Sequence, residues 1–93
     1  MLNVKETGLL LTIIKHCNSI IRISSGVKRE KFDEDEDLRD LLCFHIFQIG
    51  ELVNHFDDDF ILLHPDIPWN KIIGMRNKVA HGYDKLNVFL LAK

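Results

Sequence analysis

Residues 67–83 read Ile67-Pro68-Trp69-Asn70-Lys71-Ile72-Ile73-Gly74-Met75-Arg76-Asn77-Lys78-Val79-Ala80-His81-Gly82-Tyr83. Pro68 suits the first turn of a helix, where its missing N–H would lack a partner anyway and its fixed φ is already helical. From there Trp69, Ile72, Ile73 and Met75 carry an apolar face at helical spacing, so the reading is a helix from Pro68 to about Ala80 or His81. Gly82 can end it. Upstream, His64-Pro65-Asp66-Ile67 breaks the pattern, because the residue before a proline disfavours the α region.

Working back from there, a short helical turn is expected around Phe60 to Leu63, after the punctuation Asp57 to Asp59. From Asp37 to Phe56 a longer helix is apolar on more than one side, through Leu38, Leu41, Leu42, Phe44, Ile46, Phe47, Ile49, Leu52, Val53 and Phe56. Such a helix packs on two neighbours: the first helix, and either the third or a second copy of the chain. Asp35 to Asp37 sit where acidic residues cap a helix start and meet the positive end of its dipole. Earlier still, Leu10, Ile13, Ile14, Cys17, Ile20 and Ile21 recur at steps of three and four, which predicts an amphipathic helix over about residues 5 to 24. Ser24, Ser25 and Gly26 supply stop and turn chemistry, and the charged stretch to Glu36 reads as an exposed connection. The apolar tail Val88 to Ala92 reads as the start of a fourth helix.

The expected fold is therefore all-α: one domain over residues 1–93 with three to four helices, the last of them short. At 93 residues, folding buries only roughly 60 to 65% of the surface the unfolded chain exposes. Apolar residues are 46% of the chain, more than so few helices can cover, so a partner subunit is expected. Cys17 and Cys43 lie inside apolar helical patterns without metal-ligand or redox spacing, and read as buried thiols in a reducing compartment. The apolar run Leu9 to Ile14 is too short to cross a bilayer, and the residues before it lack the marks of a signal peptide. A cytoplasmic protein with no membrane partner is expected.

A net charge of −2 gives no global field to gather nucleic acid, so any RNA contact must be local. Positive charge clusters at Lys28, Arg29 and Lys31, and again at Lys71, Arg76 and Lys78. The second cluster shares its helix end with Asn77, His81 and Tyr83. Asn77 and His81, four apart, share a helix face, whereas Arg76 and His81 lie roughly 140° apart around the axis. One straight helix does not aim both at one atom, but a second copy across a twofold axis can supply the missing group. Cleaving RNA without a metal needs a base for the 2′-OH, an acid for the leaving oxygen, and positive charge on the phosphate. Histidine can fill the first two roles and arginine the third, while Asn77 can orient His81 or donate to a phosphate oxygen. The same residues also admit a structural reading, with His81 at a helix C-terminus, Arg76 in a surface ion pair and Tyr83 packing with its hydroxyl in water. Glu51 stands between reaching the cleft to hold Arg76 or His81 and lying on a helix surface. His16, His45, His55 and His64 show no ligand spacing, so no metal and no cofactor are expected. His45 reads as half-buried packing, and Trp69 as a core anchor.

The string from Ile67 to Tyr83 resembles the signature of HepT-like HEPN proteins, and Ile46-Phe47-Gln48-Ile49-Gly50-Glu51 resembles that family's second helix. The likeness covers about residues 9 to 87. It implies an up-and-down helical bundle and a homodimer whose two motifs line one cleft. It also implies a metal-independent toxin endoribonuclease that leaves a 2′,3′-cyclic phosphate on single-stranded or tRNA-like RNA. By the resemblance, Arg76 is the phosphate ligand, Asn77 the polar helper and His81 the acid or base; Glu51 and Lys78 are further candidates for cleft support. Tyr83 is the residue that a minimal nucleotidyltransferase antitoxin modifies with AMP. Family members continue into a full last helix where this chain offers Asp84 to Lys93, so heavier reliance on dimerisation, or an inactive truncated copy, is part of the expectation. The alternative is a non-catalytic helical dimer that serves as an interaction module or binds nucleotides or RNA uncut.

Overall fold

The computed structural model describes the backbone of residues 1–82 and the side chains of residues 1–80. Within that span the chain is all-helical: α1 (Val4–Ser24), α2 (Arg29–Glu34), α3 (Glu36–Val53), α4 (Asp58–Leu63) and α5 (Trp69–Gly82). Tyr83, the tail Val88 to Ala92 and the proposed short last helix lie outside the described residues.

Local chemistry sets the helix starts. The Asn3 side chain accepts from the Glu6 N–H at 2.7 Å while Glu6 Oε1 accepts from the Asn3 N–H at 3.0 Å, a reciprocal cap that pairs two N-terminal donors. At Gly26 the chain takes φ 73°, a left-handed conformation that a side chain would disfavour, and so turns away from α1. Asp35 caps α3 by accepting from the Leu38 N–H at 3.0 Å. Pro68 stands one position outside α5: its carbonyl accepts from the Ile72 N–H at 3.1 Å, so it occupies the capping position rather than the first helical one.

The stretch from Ser25 to Glu36 corrects the expectation of an exposed connection. Its single aromatic residue, Phe32, is buried against Leu42, Cys43, Ile46 and Val79, and one short helical turn, α2, presents it. Arg39 of α3 fastens that turn by donating from Nη1 to the Phe32 and Asp33 carbonyls, each at 2.7 Å. One buried ring suffices to order a charged segment, and periodicity cannot register a single residue. In the same way α3 stops at Val53, three residues short of Phe56, which turns in to stack on Phe60 at 4.5 Å.

α3 is the axis of the bundle, with α1 and α5 packed on it. Leu42, Cys43 and Ile46 in its middle join Ile20 and Ile23 from the end of α1 and Val79 from the end of α5. Val53 at its end, with Phe56 and Phe60, joins Leu9, Leu10 and Ile13 from the start of α1 and Trp69 from the start of α5. The number orders run opposite in both pairs, so the three long helices alternate up, down and up. Trp69 is the core anchor read from the sequence, and its indole N–H donates to the His64 carbonyl at 2.9 Å. Cys43 is buried, but Cys17 is only half-buried, against the expectation of two buried thiols. Burial raises both pKa values, with the Asp40 carboxylate adding to the effect at Cys43. α1 buries no residue fully. Among the described residues, no helix is long and apolar enough to cross a membrane.

Candidate active site at the α3–α5 crossing

Gly50 is buried where α3 crosses α5, and a Cβ built on it would collide with Cβ and Cγ of Arg76. The bare backbone of α3 is therefore the floor on which the Arg76 side chain lies. Beyond that floor, the guanidinium is held on three sides. Nε donates to Glu51 Oε1 at 2.6 Å, and Nη2 pairs with the same oxygen. Nη1 donates to Asn77 Oδ1 at 2.8 Å. The plane lies over the Phe47 ring, with Cζ 5.0 Å from its centroid, an arrangement in which the ring face attracts the cation.

Three of the five guanidinium N–H bonds are thus directed at Glu51 and Asn77, leaving one on each terminal nitrogen among the described contacts. The Arg76 side chain is 25% exposed and that of Glu51 38% exposed, so the pair sits at the rim of the core with one edge toward water. An ion pair this open contributes little to stability. What it supplies is orientation: a long side chain that would otherwise sample many rotamers is fixed by a floor, a ring and two acceptors. Beside Phe47, an open groove of about 260 Å³ is lined by Asp40, Cys43, Phe44, Phe47 and Val79.

The structure brings Arg76, Asn77 and Glu51 together. Lys78 is exposed and stands apart from that group's hydrogen bonds. Position 81 belongs to α5, which stays helical through Gly82, so the Cα atoms of residues 76 and 81 remain roughly 140° apart around the axis. The His81 side chain and Tyr83 lie outside the described residues. Sequence reasoning missed two members of the cluster, Gly50 and Phe47. The signal was there: a lone glycine amid the apolar pattern of α3, where it weakens a helix unless a neighbour needs the space.

A second cluster was also missed. His16 of α1 and His45 of α3 meet through their Nδ1 atoms at 2.9 Å, with the Phe44 ring edge-on to His16 at 6.2 Å. Their separation of 29 positions hid the pair from any spacing rule. Among the described residues, no group of three or more His, Cys, Asp or Glu is placed to hold a metal ion.

Comparison with known proteins places the chain in a family. The family model described as "Ribonuclease HepT-like" matches residues 13–92. A Methanocaldococcus jannaschii protein named "Putative RNase MJ1380" is 26% identical over 86 residues, 92% of this chain and 79% of that protein. A Caldanaerobacter subterraneus protein named "Putative RNase TTE0752" is 32% identical over 81% of this chain and 67% of its own length. A Thermococcus cleftensis protein named "Probable ribonuclease HepT" is 34% identical over 69% of this chain and 66% of its own. No solved structure matches the chain at a significant level.

Proposed function

The chain belongs to the HepT-like ribonuclease family, and on that premise we propose that it is a metal-independent endoribonuclease whose site forms where two copies meet. The observation that carries this reading is the fixed Arg76 guanidinium, seated on Gly50 and held by Glu51 and Asn77 with, among the described residues, one N–H left on each terminal nitrogen. Two such donors on a planar fork match two oxygens of a phosphate.

In this reading His81 removes the proton of the ribose 2′-OH, and the 2′ oxygen attacks phosphorus. The bond to the 5′ oxygen breaks, that oxygen takes a proton from an acid, and a 2′,3′-cyclic phosphate remains. The imidazolium that His81 becomes on taking the 2′-OH proton gives it up as that acid, so one histidine serves both roles in turn. Arg76 meets the charge that builds on the non-bridging oxygens. Glu51 positions Arg76, Asn77 passes its amide to the phosphate or to His81, and Lys78 adds positive charge at the cleft edge. A twofold pairing of α5 places an Arg76 and a His81 from different copies on one phosphate, which the separation of positions 76 and 81 on one helix disfavours within a single copy. Apolar surface supports a second copy: Leu11, Ile14 and Ile21 of α1 and Leu41 and Phe44 of α3 are exposed in the single chain.

The proposal extends to control. Tyr83, next to the helix end, is the acceptor of AMP from a minimal nucleotidyltransferase antitoxin. The added phosphodiester and nucleoside would put negative charge and bulk where the RNA phosphate docks. The toxin–antitoxin setting and a cytoplasmic location belong to the same proposal.

One observation favours the second reading, a helical dimer that binds RNA or nucleotides without cutting. The Glu51 carboxylate already neutralises Arg76, and that costs the site affinity for phosphate. Incubating the purified chain with total RNA in excess EDTA separates the two. New ends bearing 2′,3′-cyclic phosphate, absent with His81→Ala, are expected for the nuclease; intact RNA from the wild-type chain means the binding module.

A further inference from the structure

The His16–His45 contact belongs neither to the nuclease cluster nor to a metal site, and its geometry has a consequence of its own. Nδ1 faces Nδ1 at 2.9 Å, so one nitrogen carries a hydrogen and the other offers a lone pair. The neutral pair satisfies this with one ring protonated at Nδ1 and the other at Nε2. A first added proton goes to the Nε2 of the donating ring and leaves the Nδ1–H···Nδ1 bond in place, now charge-assisted. A second has only the accepting Nδ1 left to occupy. That consumes the lone pair, breaks the bond and leaves two imidazolium ions against each other between packed helices, with centroids 5.2 Å apart.

We propose that His16 and His45 form a proton-operated latch between α1 and α3, closed while the pair holds no more than one extra proton and opened by the second. The described surroundings add no negative charge. His45 is in contact with the half-buried His16 ring and the half-exposed Phe44 ring, and Arg22 of α1 adds a further positive charge. Among the described residues no carboxylate of α1, α2, α3 or α5 figures among the charged groups acting on His45. Burial, then His16, then Arg22 hold its pKa below the ordinary 6.5. A histidine with a depressed folded pKa contributes stability that is whole above 6.5 and is lost as the pH falls below that toward the folded value. α1 is the helix with most to lose, since none of its residues is fully buried and its hold on the bundle is this face. This inference stands whether or not the chain cuts RNA.

The test uses the whole chain, with histidine side-chain nitrogens followed by NMR from about pH 7.5 to about pH 5, the range in which histidine titrates. The latch predicts two separated protonation steps for His16 and His45, with α1 amide protection falling at the second step. Urea unfolding of wild type, His16→Gln and His45→Gln over the same range provides the second readout. The wild type is expected to lose more stability on acidification than either variant, because a glutamine cannot take up the second proton. Two independent, ordinary titrations for the pair, or parallel loss of stability in all three proteins, would overturn it.

Discussion

The Arg76 side chain lies on the bare backbone of Gly50, with no room for a β-carbon between them. A residue chosen for its charge is thereby coupled to one chosen for having no side chain, and the helix crossing and the position of the guanidinium become one feature.

Gly50→Ala therefore acts on fold and site together. The added methyl forces α3 and α5 apart or drives Arg76 out of place, at a cost of about 1–3 kcal/mol typical of overpacked contacts. At roughly 4–8 °C per kcal/mol for a domain of this size, calorimetry would detect the shift. An unchanged melting temperature would mean the crossing has slack that the geometry does not reveal.

Glu51→Gln separates positioning from charge. Glutamine retains an acceptor oxygen for Nε of Arg76 but removes the negative charge, so RNA binding should tighten while stability barely changes, as befits a half-exposed pair. Glu51→Ala should instead lower kcat, because the guanidinium loses its orientation. Gel-shift and cleavage assays on the same preparations would distinguish the two effects.

Arg76→Lys should behave as a loss rather than a conservative exchange. A single ammonium cannot bond Glu51, Asn77 and a phosphate with the planar fork that Arg76 presents. Cleavage is expected to fall by about 10²-fold or more, the scale of removing one electrostatic donor from a site, with circular dichroism unchanged.

Asp35 caps α3 and its carboxylate is held below its ordinary pKa of 3.8, mainly by the Leu38 N–H it accepts and then by Lys31. With a depressed folded pKa, its contribution is whole above 3.8 and disappears as the pH drops through the folded value. Asp35→Asn keeps a capping oxygen, so the variant should retain helicity near neutral pH and lose less than the wild type on acidification. Far-ultraviolet circular dichroism across that range provides the check.

Much of this was legible in the sequence. The three long helices follow from apolar residues recurring at three and four, and Trp69 as an anchor follows from its place behind Pro68. α2 was not legible, since one buried ring, Phe32, in a charged run leaves no period. Arg76 and Asn77 stood out by residue type, and Glu51 by the segment that contains it; their meeting depends on the antiparallel register of α3 and α5. Phe47 under the guanidinium and the His16–His45 bond are products of packing between helices. A one-dimensional pattern records which face a residue occupies, but not what the facing helix brings to it.

The measurement closest to the central claim uses two defective chains. Arg76→Ala and His81→Ala subunits, each bearing a different tag, would be co-expressed and purified through both tags, so that only mixed dimers remain. Such a dimer contains one intact Arg76 and one intact His81 in different copies. If the site is built across a twofold axis, the mixed dimer cleaves RNA in EDTA at a substantial fraction of the wild-type rate while each parent dimer is inactive. A mixed dimer as inactive as its parents, or a wild-type chain that cuts RNA as a monomer, would contradict it.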